Sequence, residues 1–425
     1  MKSILFYIEP FPIRDSMTHF KDIINHFYEA IIQNKNQNIK TLIYSNYETI
    51  SEIIQVHPKL SSYVLIPDEI DQHFFKQCLV PWENEGINLW QNLFKESDLT
   101  NIFVDIIKKI NSNHKLDYIV YWGTNFAIQK ASMQLGIGVI AMELGCSRPP
   151  FLNSIVADPL GSNGDSITAN SNITDYESII PNNSYIDLFS SNDLNNRFYT
   201  QNFNYICNDF LKINLHKRIF FFPLQLFDDA NILQFSNFKS IKDVLEYVLP
   251  KLDKNNDIII IKEHPASKFR KGAMYANLEA KNYALQFDNI IYLDQNFTEI
   301  NNSQLINISD CIITVNSSVG FESLYFNKPV IVLGKASYKV KNVFPKLEDY
   351  LNNNFDIKKY QLNIAKIRKF FINFYLLDTN IMQDPNLFLN YLIYLGNINK
   401  TKPSIKQIIN NLIRERSKQE YFSNL

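Results

Sequence analysis

Residues 257–265 read Asp257-Ile258-Ile259-Ile260-Ile261-Lys262-Glu263-His264-Pro265, a run of four isoleucines that ends in charged and polar side chains. Such a β-branched run is typical of a central strand that is buried on both faces of a parallel sheet. Shorter apolar runs recur on either side of it along the chain, and amphipathic stretches separate them. Strand–helix alternation of this kind predicts parallel sheets with helices on both faces.

The predicted strands fall into two groups, which indicates an α/β protein with two Rossmann-like domains facing each other across a cleft. The first group comprises residues 3–8, 41–44, 118–121 and 138–142, and the second comprises residues 219–222, 257–261, 289–293, 311–315 and 329–333. Residues 151–191 lack periodicity and are rich in Asn, Ser, Gly and Pro, so we expect a long loop or a domain junction there. The chain after about residue 355 is predicted to be helical.

Length and composition indicate a folded protein of two domains. The chain has 425 residues, of which 46% are hydrophobic and 20% charged. We expect an N-terminal domain over residues 1–205, a second domain over residues 206–355, and C-terminal helices over residues 356–425 that can pack back on the N-terminal domain. The 42 basic and 43 acidic side chains nearly balance, which argues against a nucleic-acid binder.

Cysteine usage and hydropathy point to the cytoplasm. Cys78, Cys146, Cys207 and Cys311 lie far apart without metal-ligand spacing, which is typical of a reducing compartment and predicts no zinc site. The apolar run at the N-terminus is too short for a signal peptide, and no stretch of about 18 apolar residues occurs. The basic side chains near the C-terminus favour a solvated helix face, with a peripheral contact to the inner membrane as the alternative.

Two motifs at predicted strand ends suit the binding of a phosphate. Lys262 and His264 follow the isoleucine run and can donate hydrogen bonds to phosphate oxygens. Ser317 and Ser318 follow another strand and begin a helix, where free N–H groups and the helix dipole bind anions. Glu322, one turn later, can accept hydrogen bonds from ribose hydroxyls. The alternatives are a solvated strand end and an ordinary serine cap followed by a glutamate.

Two further groups place carboxylates after predicted strands. Gln225 and the pair Asp228 and Asp229 follow the first strand of the second group. Either aspartate can be a nucleophile, a base or a metal ligand, or can simply cap a helix or turn. Glu143 and Arg148 follow the last strand of the first group, where the glutamate can act as an acid/base and the arginine can clamp a carboxylate. A surface ion pair is the alternative for these two.

In this order the motifs resemble those of the bacterial retaining β-Kdo transferases of capsule polysaccharide and lipopolysaccharide biosynthesis, which use CMP-Kdo. The resemblance rests on Gln-x-x-x-Asp at Gln225 and Asp229, and on the His-Pro pair at 264–265 behind a β-branched strand. It also rests on Ser-Ser-Val-Gly-Phe-Glu-Ser-Leu at 317–324. Residues 143–148 are similar to the Glu-x-Gly-x-x-Arg segment of the family.

The resemblance implies a fold, a reaction and a set of roles. It implies a GT-B architecture, in which the N-terminal domain receives a glycan or glycolipid acceptor and the C-terminal domain holds the nucleotide. Kdo would move from CMP-Kdo to the acceptor with retention, through a covalent glycosyl-enzyme and without a metal or another cofactor. Asp229 would be the nucleophile, Glu143 the acid/base, and Gln225 a support for the Asp229 region. The implied donor site consists of Lys262, His264, Ser317, Ser318 and Glu322, and either Arg148 or a nest of backbone N–H groups is the candidate for binding the donor carboxylate.

Other interpretations stay open from the sequence. Another CMP-nonulosonic acid can replace Kdo, because a few pocket residues distinguish these donors. A CDP-polyol phosphotransferase also shows a His-Pro pair and a Ser-Ser turn, although the Gln-x-x-x-Asp pattern counts against it. A UDP-sugar transferase or epimerase of similar fold is a further candidate. The non-enzyme alternative is an inactive binding module of a polysaccharide assembly complex.

Overall fold

The computed structural model describes residues 1–179 and 216–418, and the chain divides into two compact units. The first unit comprises Met1–Leu144, Ser154–Ile167 and Leu377–Ser404, and the second comprises Gly145–Asn153, Thr168–Leu376 and Ile405–Leu425. Each unit contains a mainly parallel sheet with helices packed on it. The predicted α/β fold class with two Rossmann-like domains is confirmed.

The two sheets share one strand arrangement. Their strands are β1 Lys2–Tyr7, β2 Ile39–Tyr44, β3 Val64–Leu65, β4 Tyr118–Trp122, β5 Gly138–Leu144, β6 Ser154–Asp158, β7 Arg218–Pro223, β8 Asp257–Lys262, β9 Ile290–Leu293, β10 Cys311–Thr314, β11 Val330–Val332 and β12 Leu377–Asp378. The first sheet has the order β12-β6-β5-β4-β1-β2-β3, and the second has the order β11-β10-β7-β8-β9. Apart from the antiparallel pairs β5–β6 and β6–β12, neighbouring strands are parallel. In each unit the first five strands in chain order are therefore arranged 3-2-1-4-5, as in Rossmann folds.

Helices connect these strands, and several begin at side chains that accept from free backbone N–H groups. Ser97 and Ser240, for example, cap the helices Asp98–His114 and Ile241–Val248. The other α-helices within residues 1–179 and 216–418 are Lys21–Ile32, Tyr47–Val56, Glu69–Gln77, Ile87–Gln91, Phe126–Leu135, Ile167–Asn170, Ala230–Phe235, Lys271–Ala284, Asn302–Ile308, Ser318–Tyr325, Leu347–Leu351, Ile357–Phe370, Pro385–Thr401 and Ile405–Ser417.

The isoleucine run forms the centre of the second sheet, as predicted. β8 pairs in parallel with β7 on one side and with β9 on the other. Ile259 and Ile261 pack on one face of the sheet with Phe222 of β7 and with the apolar side of helix Ile241–Val248. The intervening Ile258 and Ile260 are buried as well. Burial on both faces explains why the run is continuous rather than alternating.

The expected loop over residues 151–191 is wrong in its first part. β6 lies there and pairs antiparallel with β5. Its five residues are all buried, and the carboxylate of Asp158 accepts hydrogen bonds from the backbone N–H groups of Leu160 and Ile167. A strand of this length between polar residues gives too short an apolar signal to predict. Residues 180–191, Cys207 and the expected domain boundary at 205/206 lie outside the described residues.

The division of the chain into units also differs from the expected domains. Gly145–Asn153 belongs to the second unit because the Phe151 ring stacks on the Tyr325 ring at 4.4 Å and the Ser147 hydroxyl lies 3.0 Å from the Tyr325 hydroxyl. Near the C-terminus the chain returns to the first unit, where β12 pairs with β6 and helix Pro385–Thr401 packs on β5. The remaining C-terminal helices are part of the second unit.

Basic side chains of the C-terminal segment make contacts within the second unit. The Lys406 ammonium lies 3.1 Å from the Glu177 carboxylate. Arg416 is buried, and its guanidinium donates to the backbone carbonyl of Leu376 at 3.1 Å. The expectation of a solvated face is therefore wrong for Arg416, because its guanidinium hydrogen-bonds a buried backbone carbonyl. Within the described residues, no helix has both the length and the apolar character needed to cross a bilayer.

Candidate functional site

The candidate site lies where the strand order of the second sheet reverses. There β7 and β10 are neighbours, although the chain passes through β8 and β9 between them. Ligands of open α/β sheets bind outside the carboxyl ends of the strands at such a point. Gln225 and Asp229 follow β7, Ser317 and Ser318 follow β10, and His264 follows β8 beside β7. The fold therefore brings these predicted residues to one edge of one sheet.

A side-chain amide joins the two loops at this edge. The Gln225 amide donates to Oδ1 of Asn316 at 2.8 Å and accepts from the Asn316 backbone N–H at 3.0 Å. The Asn316 amide in turn donates to the backbone carbonyl of Asn231 at 2.7 Å. Gln225 thus fixes the loop after β10 against the start of helix Ala230–Phe235, the helix that Asp229 caps.

The adjacent aspartates occupy different environments. Asp228 is buried, and its carboxylate accepts from Nη1 of Arg270 at 2.8 Å. Asp229 is only half-buried, and one of its carboxylate oxygens accepts from the Asn231 backbone N–H at 2.9 Å. The interpretation of Asp229 as a helix cap is therefore confirmed, and its role as a nucleophile stays a prediction. Asp228 is committed to an internal ion pair.

His264 is a hydrogen-bond donor without a net charge. Its Nδ1 accepts from the Ala266 backbone N–H at 3.1 Å, which assigns the ring proton to Nε2. Burial lowers the pKa of the imidazole, and the nearby Arg270 and Arg148 guanidinium groups lower it further, against the opposite influence of Asp229. At neutral pH the ring therefore offers one N–H to a ligand.

Lys262 is turned to the backbone. Its ammonium donates to the carbonyl oxygen of Ile300 at 2.6 Å. Burial lowers the pKa of this half-buried lysine, and the Glu299 carboxylate raises it in part. The structure thus shows a backbone contact for the Lys262 ammonium, and the phosphate contact that the sequence predicts for it stays a prediction.

The helix that follows β10 begins with the two predicted serines. Ser317 caps it by accepting from the Val319 backbone N–H at 3.3 Å, and Ser318 hydrogen-bonds the Glu322 carboxyl one turn later. Burial raises the pKa of Glu322 to about 7, while the Arg148 guanidinium and the bond from Ser318 limit the rise. Arg148 itself donates through Nε to the Gly145 carbonyl at 3.2 Å. The structure thus brings Arg148 to Glu322 in the second unit.

Glu143 lies in the first unit, at the carboxyl end of β5. It is half-buried, and its Oε1 accepts from the Leu144 backbone N–H at 2.8 Å. Gly123, at the end of the adjacent strand β4, has a φ of +75°, and a side chain there would begin 3.8 Å from Oε2 of Glu143. The predicted Glu–Arg segment is therefore divided between the two units.

Sequence reasoning missed two residues of this site. Asn316 is the partner of Gln225, and Arg270 is the partner of Asp228. Arg270 stands in the basic string Lys268-Phe269-Arg270-Lys271, where no local pattern distinguishes it from its neighbours. Among residues 1–179 and 216–418, no group of three His, Cys, Asp or Glu side chains is placed to hold a metal ion. That the chemistry needs no metal stays a prediction.

Comparison with known proteins connects this site to a family. Residues 165–346 match the family described as capsule polysaccharide biosynthesis protein. The matched segment contains every predicted donor-site residue except Arg148. The resemblance to capsule polysaccharide proteins is thus confirmed over this segment. The capsule polysaccharide export protein KpsS of Escherichia coli is 25% identical over 135 residues, which are 30% of this chain and 33% of that protein. This chain therefore spans about a third of the length of the curated relative that it matches.

Solved structures that are similar to this chain include two of KpsC from Thermosulfurimonas dismutans. Its β-Kdo 2,7 transferase is 15% identical with a TM-score of 0.39, covering 83% of this chain and 99% of that one. Its β-Kdo 2,4 transferase is 17% identical with a TM-score of 0.38, covering 60% and 79%. UDP-GlcNAc 2-epimerase from Neisseria meningitidis is 12% identical with a TM-score of 0.34, covering 92% and 100%. At these scores the solved structures establish neither an activity nor a substrate for this chain.

Proposed function

We propose that this chain is a retaining glycosyltransferase that moves Kdo from CMP-Kdo to a bacterial surface glycan. The observation that carries the proposal is the meeting of Asp229, His264 and the helix start at Ser317 and Ser318 at the switch point of the second sheet. A carboxylate, an uncharged N–H donor and a helix N-terminus at one place suit a donor that joins a phosphate to a sugar carbon. The capsule family match over the same residues supports this assignment.

Asp229 is the proposed nucleophile because it is the more accessible of the two aspartates. Its carboxylate attacks the anomeric carbon of Kdo, the bond from that carbon to the phosphate oxygen breaks, and CMP departs with inversion. The acceptor hydroxyl then displaces Asp229 with a second inversion, so the product retains the donor configuration. The Ser318 backbone N–H, the dipole of the helix that it begins, and Nε2–H of His264 stabilise the departing phosphate.

Glu143 is the proposed acid/base of the second step. As the acceptor oxygen attacks the glycosyl-enzyme, its proton must be taken up, and a half-buried glutamate can accept it. Glu143→Gln removes this capacity and leaves the first displacement intact. The variant should therefore form the glycosyl-enzyme at the wild-type rate and release it to acceptor more slowly.

The decisive experiment is intact-mass analysis of the purified chain with CMP-Kdo generated in situ. We expect the wild type to gain the mass of one Kdo residue and to release CMP. Asp229→Asn should gain nothing, although asparagine is as good a helix cap as aspartate and the fold should persist. Asp356→Asn is the matched control, because Asp356 is an exposed aspartate that also caps a helix of the second unit, and this variant should still form the adduct.

Each other outcome changes a definite part of the proposal. An adduct on Asp229→Asn would move the nucleophile to another residue. An adduct with a different CMP-nonulosonic acid alone would replace Kdo as the donor. A wild-type chain that forms no adduct, releases no CMP and gains no thermal stability from CMP would refute the proposed function.

A further inference from the structure

Lys262 and His264 offer less positive charge to a donor phosphate than the sequence motifs predict. Lys262 donates its ammonium to a backbone carbonyl, and His264 is held uncharged by burial and by neighbouring cations. Arg148 is a charged neighbour of the Glu322 carboxyl. A departing CMP phosphate is nevertheless stabilised most by a permanent charge that is already in place.

Arg270 supplies such a charge at this edge of the sheet. It ends the short helical turn Pro265–Phe269 that His264 begins, and it precedes helix Lys271–Ala284. Its guanidinium is close enough to the imidazole to lower the pKa of His264. The same guanidinium holds the carboxylate of Asp228, the immediate neighbour of the proposed nucleophile. Arg270 therefore bridges the loops that follow β7 and β8.

In the Asp228–Arg270 pair, the buried carboxylate holds the guanidinium in a fixed orientation. The Asp228 side chain is 4% exposed and the Arg270 side chain 27% exposed, so the pair is buried at the carboxylate end and reaches solvent at the arginine end. A guanidinium has five N–H donors in a rigid plane and can bind a carboxylate and a phosphate at once. Partial burial makes its charge more effective than that of an exposed lysine.

We propose that Arg270 binds the phosphate of the nucleotide donor and that Asp228 positions it for this contact. The inference rests on the proposed function, since it names a residue for the donor of that reaction. Asp228 is then a positioning residue, and its neighbour Asp229 keeps the nucleophilic role. This division gives the two adjacent carboxylates separate tasks, in agreement with their different burial.

The test compares the binding of CMP and of cytidine by calorimetry or NMR titration of the whole chain. Arg270→Gln should weaken CMP binding about tenfold or more, because a hydrogen bond to a charged group is lost, and should leave cytidine binding unchanged. Lys268→Gln is the matched control, because Lys268 is an exposed cation on the same turn. It should bind both compounds as the wild type does.

A second variant separates phosphate binding from structural damage. Arg270→Gln alone leaves the buried Asp228 carboxylate without its partner, which by itself can disturb the loop. The double variant Asp228→Asn with Arg270→Gln removes both charges. If Arg270 contacts phosphate, the double variant stays as weak for CMP as Arg270→Gln, and Arg270→Lys recovers part of the affinity.

Two results would overturn this inference and leave the proposed function intact. One is CMP binding restored in the double variant, and the other is CMP binding by Arg270→Gln equal to that of the wild type. A wild-type chain that binds neither CMP nor cytidine would overturn the proposed function and this inference together. The failure of one is therefore distinguishable from the failure of both.

Discussion

Glu322 should make the stability of the protein depend on pH. Burial raises the pKa of its carboxyl to about 7, whereas an unfolded glutamate titrates near 4.3. Between these values the native state keeps a proton that the unfolded state has lost. The stabilising effect is complete below the unfolded pKa and disappears as the pH rises through the native one. The free energy of unfolding should therefore fall between about pH 4.5 and pH 7.

Glu322→Gln should remove this part of the pH dependence, because an amide does not titrate. Relative to the wild type, the variant should gain about 1–3 kcal/mol in free energy of unfolding on going from pH 5 to pH 8. Urea unfolding at the two pH values measures the change. Glu9 of the first unit allows a comparison, because burial raises its pKa to about 7 as well. Glu9→Gln should change the pH dependence of the free energy of unfolding in the same direction. Parallel pH profiles for Glu322→Gln and the wild type would contradict the assigned burial.

At the residue scale the sequence predicts which side chains gather at the site but not what each one contacts. Strand ends and motif order placed Asp229 and His264 correctly at one edge of a sheet, because carboxyl ends of parallel strands meet there. The carbonyl that holds Lys262 and the arginine that holds Asp228 are 38 and 42 positions away. Such pairs depend on the packing of separate loops, which local spacing does not encode.

At the element scale, the start of helix Ser318–Tyr325 is fixed by the absence of a side chain. A Cβ on Gly320 would lie 2.1 Å from the Tyr338 hydroxyl oxygen and 2.8 Å from the ring carbon that bears it. That hydroxyl donates to the backbone carbonyl of Ser317 at 2.5 Å. The helix N-terminus therefore packs tightly against the Tyr338 ring, and this contact fixes the position of Ser317 and Ser318.

Gly320→Ala should push the helix start away from Tyr338 and displace both serines. We expect a loss of about 1–3 kcal/mol in stability, the usual cost of overpacking, together with weaker CMP binding. Denaturant unfolding and nucleotide titration measure the two effects. Tyr338→Phe removes only the hydroxyl and its hydrogen bond, so it should disturb CMP binding less. Equal CMP affinity of Gly320→Ala and the wild type would show that the helix start does not depend on this contact.

At the scale of the whole molecule, the sequence predicts two Rossmann-like units and C-terminal helices that can pack back on the first, but not which of these helices does so. Alternating strands and helices are local patterns, and they predict the mainly parallel sheet of each unit although not its strand order. The return of Pro385–Thr401 to the first unit depends on contacts with residues far away in sequence. Asn397 accepts from the Tyr118 hydroxyl at 2.8 Å, and Asn399 accepts from the Val139 backbone N–H at 3.0 Å.

The close approach of helix Pro385–Thr401 to the first sheet depends on two glycines. A Cβ on Gly138 would lie 2.5 Å from the Gly396 carbonyl oxygen, and a Cβ on Gly396 would lie 2.3 Å from a ring carbon of Tyr118. Gly396→Ala should therefore force the helix off β4 and β5 and destabilise the first unit by about 1–3 kcal/mol. CMP binding, which we assign to the second unit, should be unchanged by this substitution.

Thermal unfolding with and without CMP tests this separation of roles. Asn390→Ala is the control, because it changes an exposed position of the same helix and should leave the melting temperature nearly the same. We expect Gly396→Ala to have a lower melting temperature than the wild type and to gain the same increase in melting temperature from CMP. That result would show that the helix stabilises the first unit and that CMP binds to the second. A loss of CMP binding in Gly396→Ala would instead mean that the C-terminal helix supports the donor site.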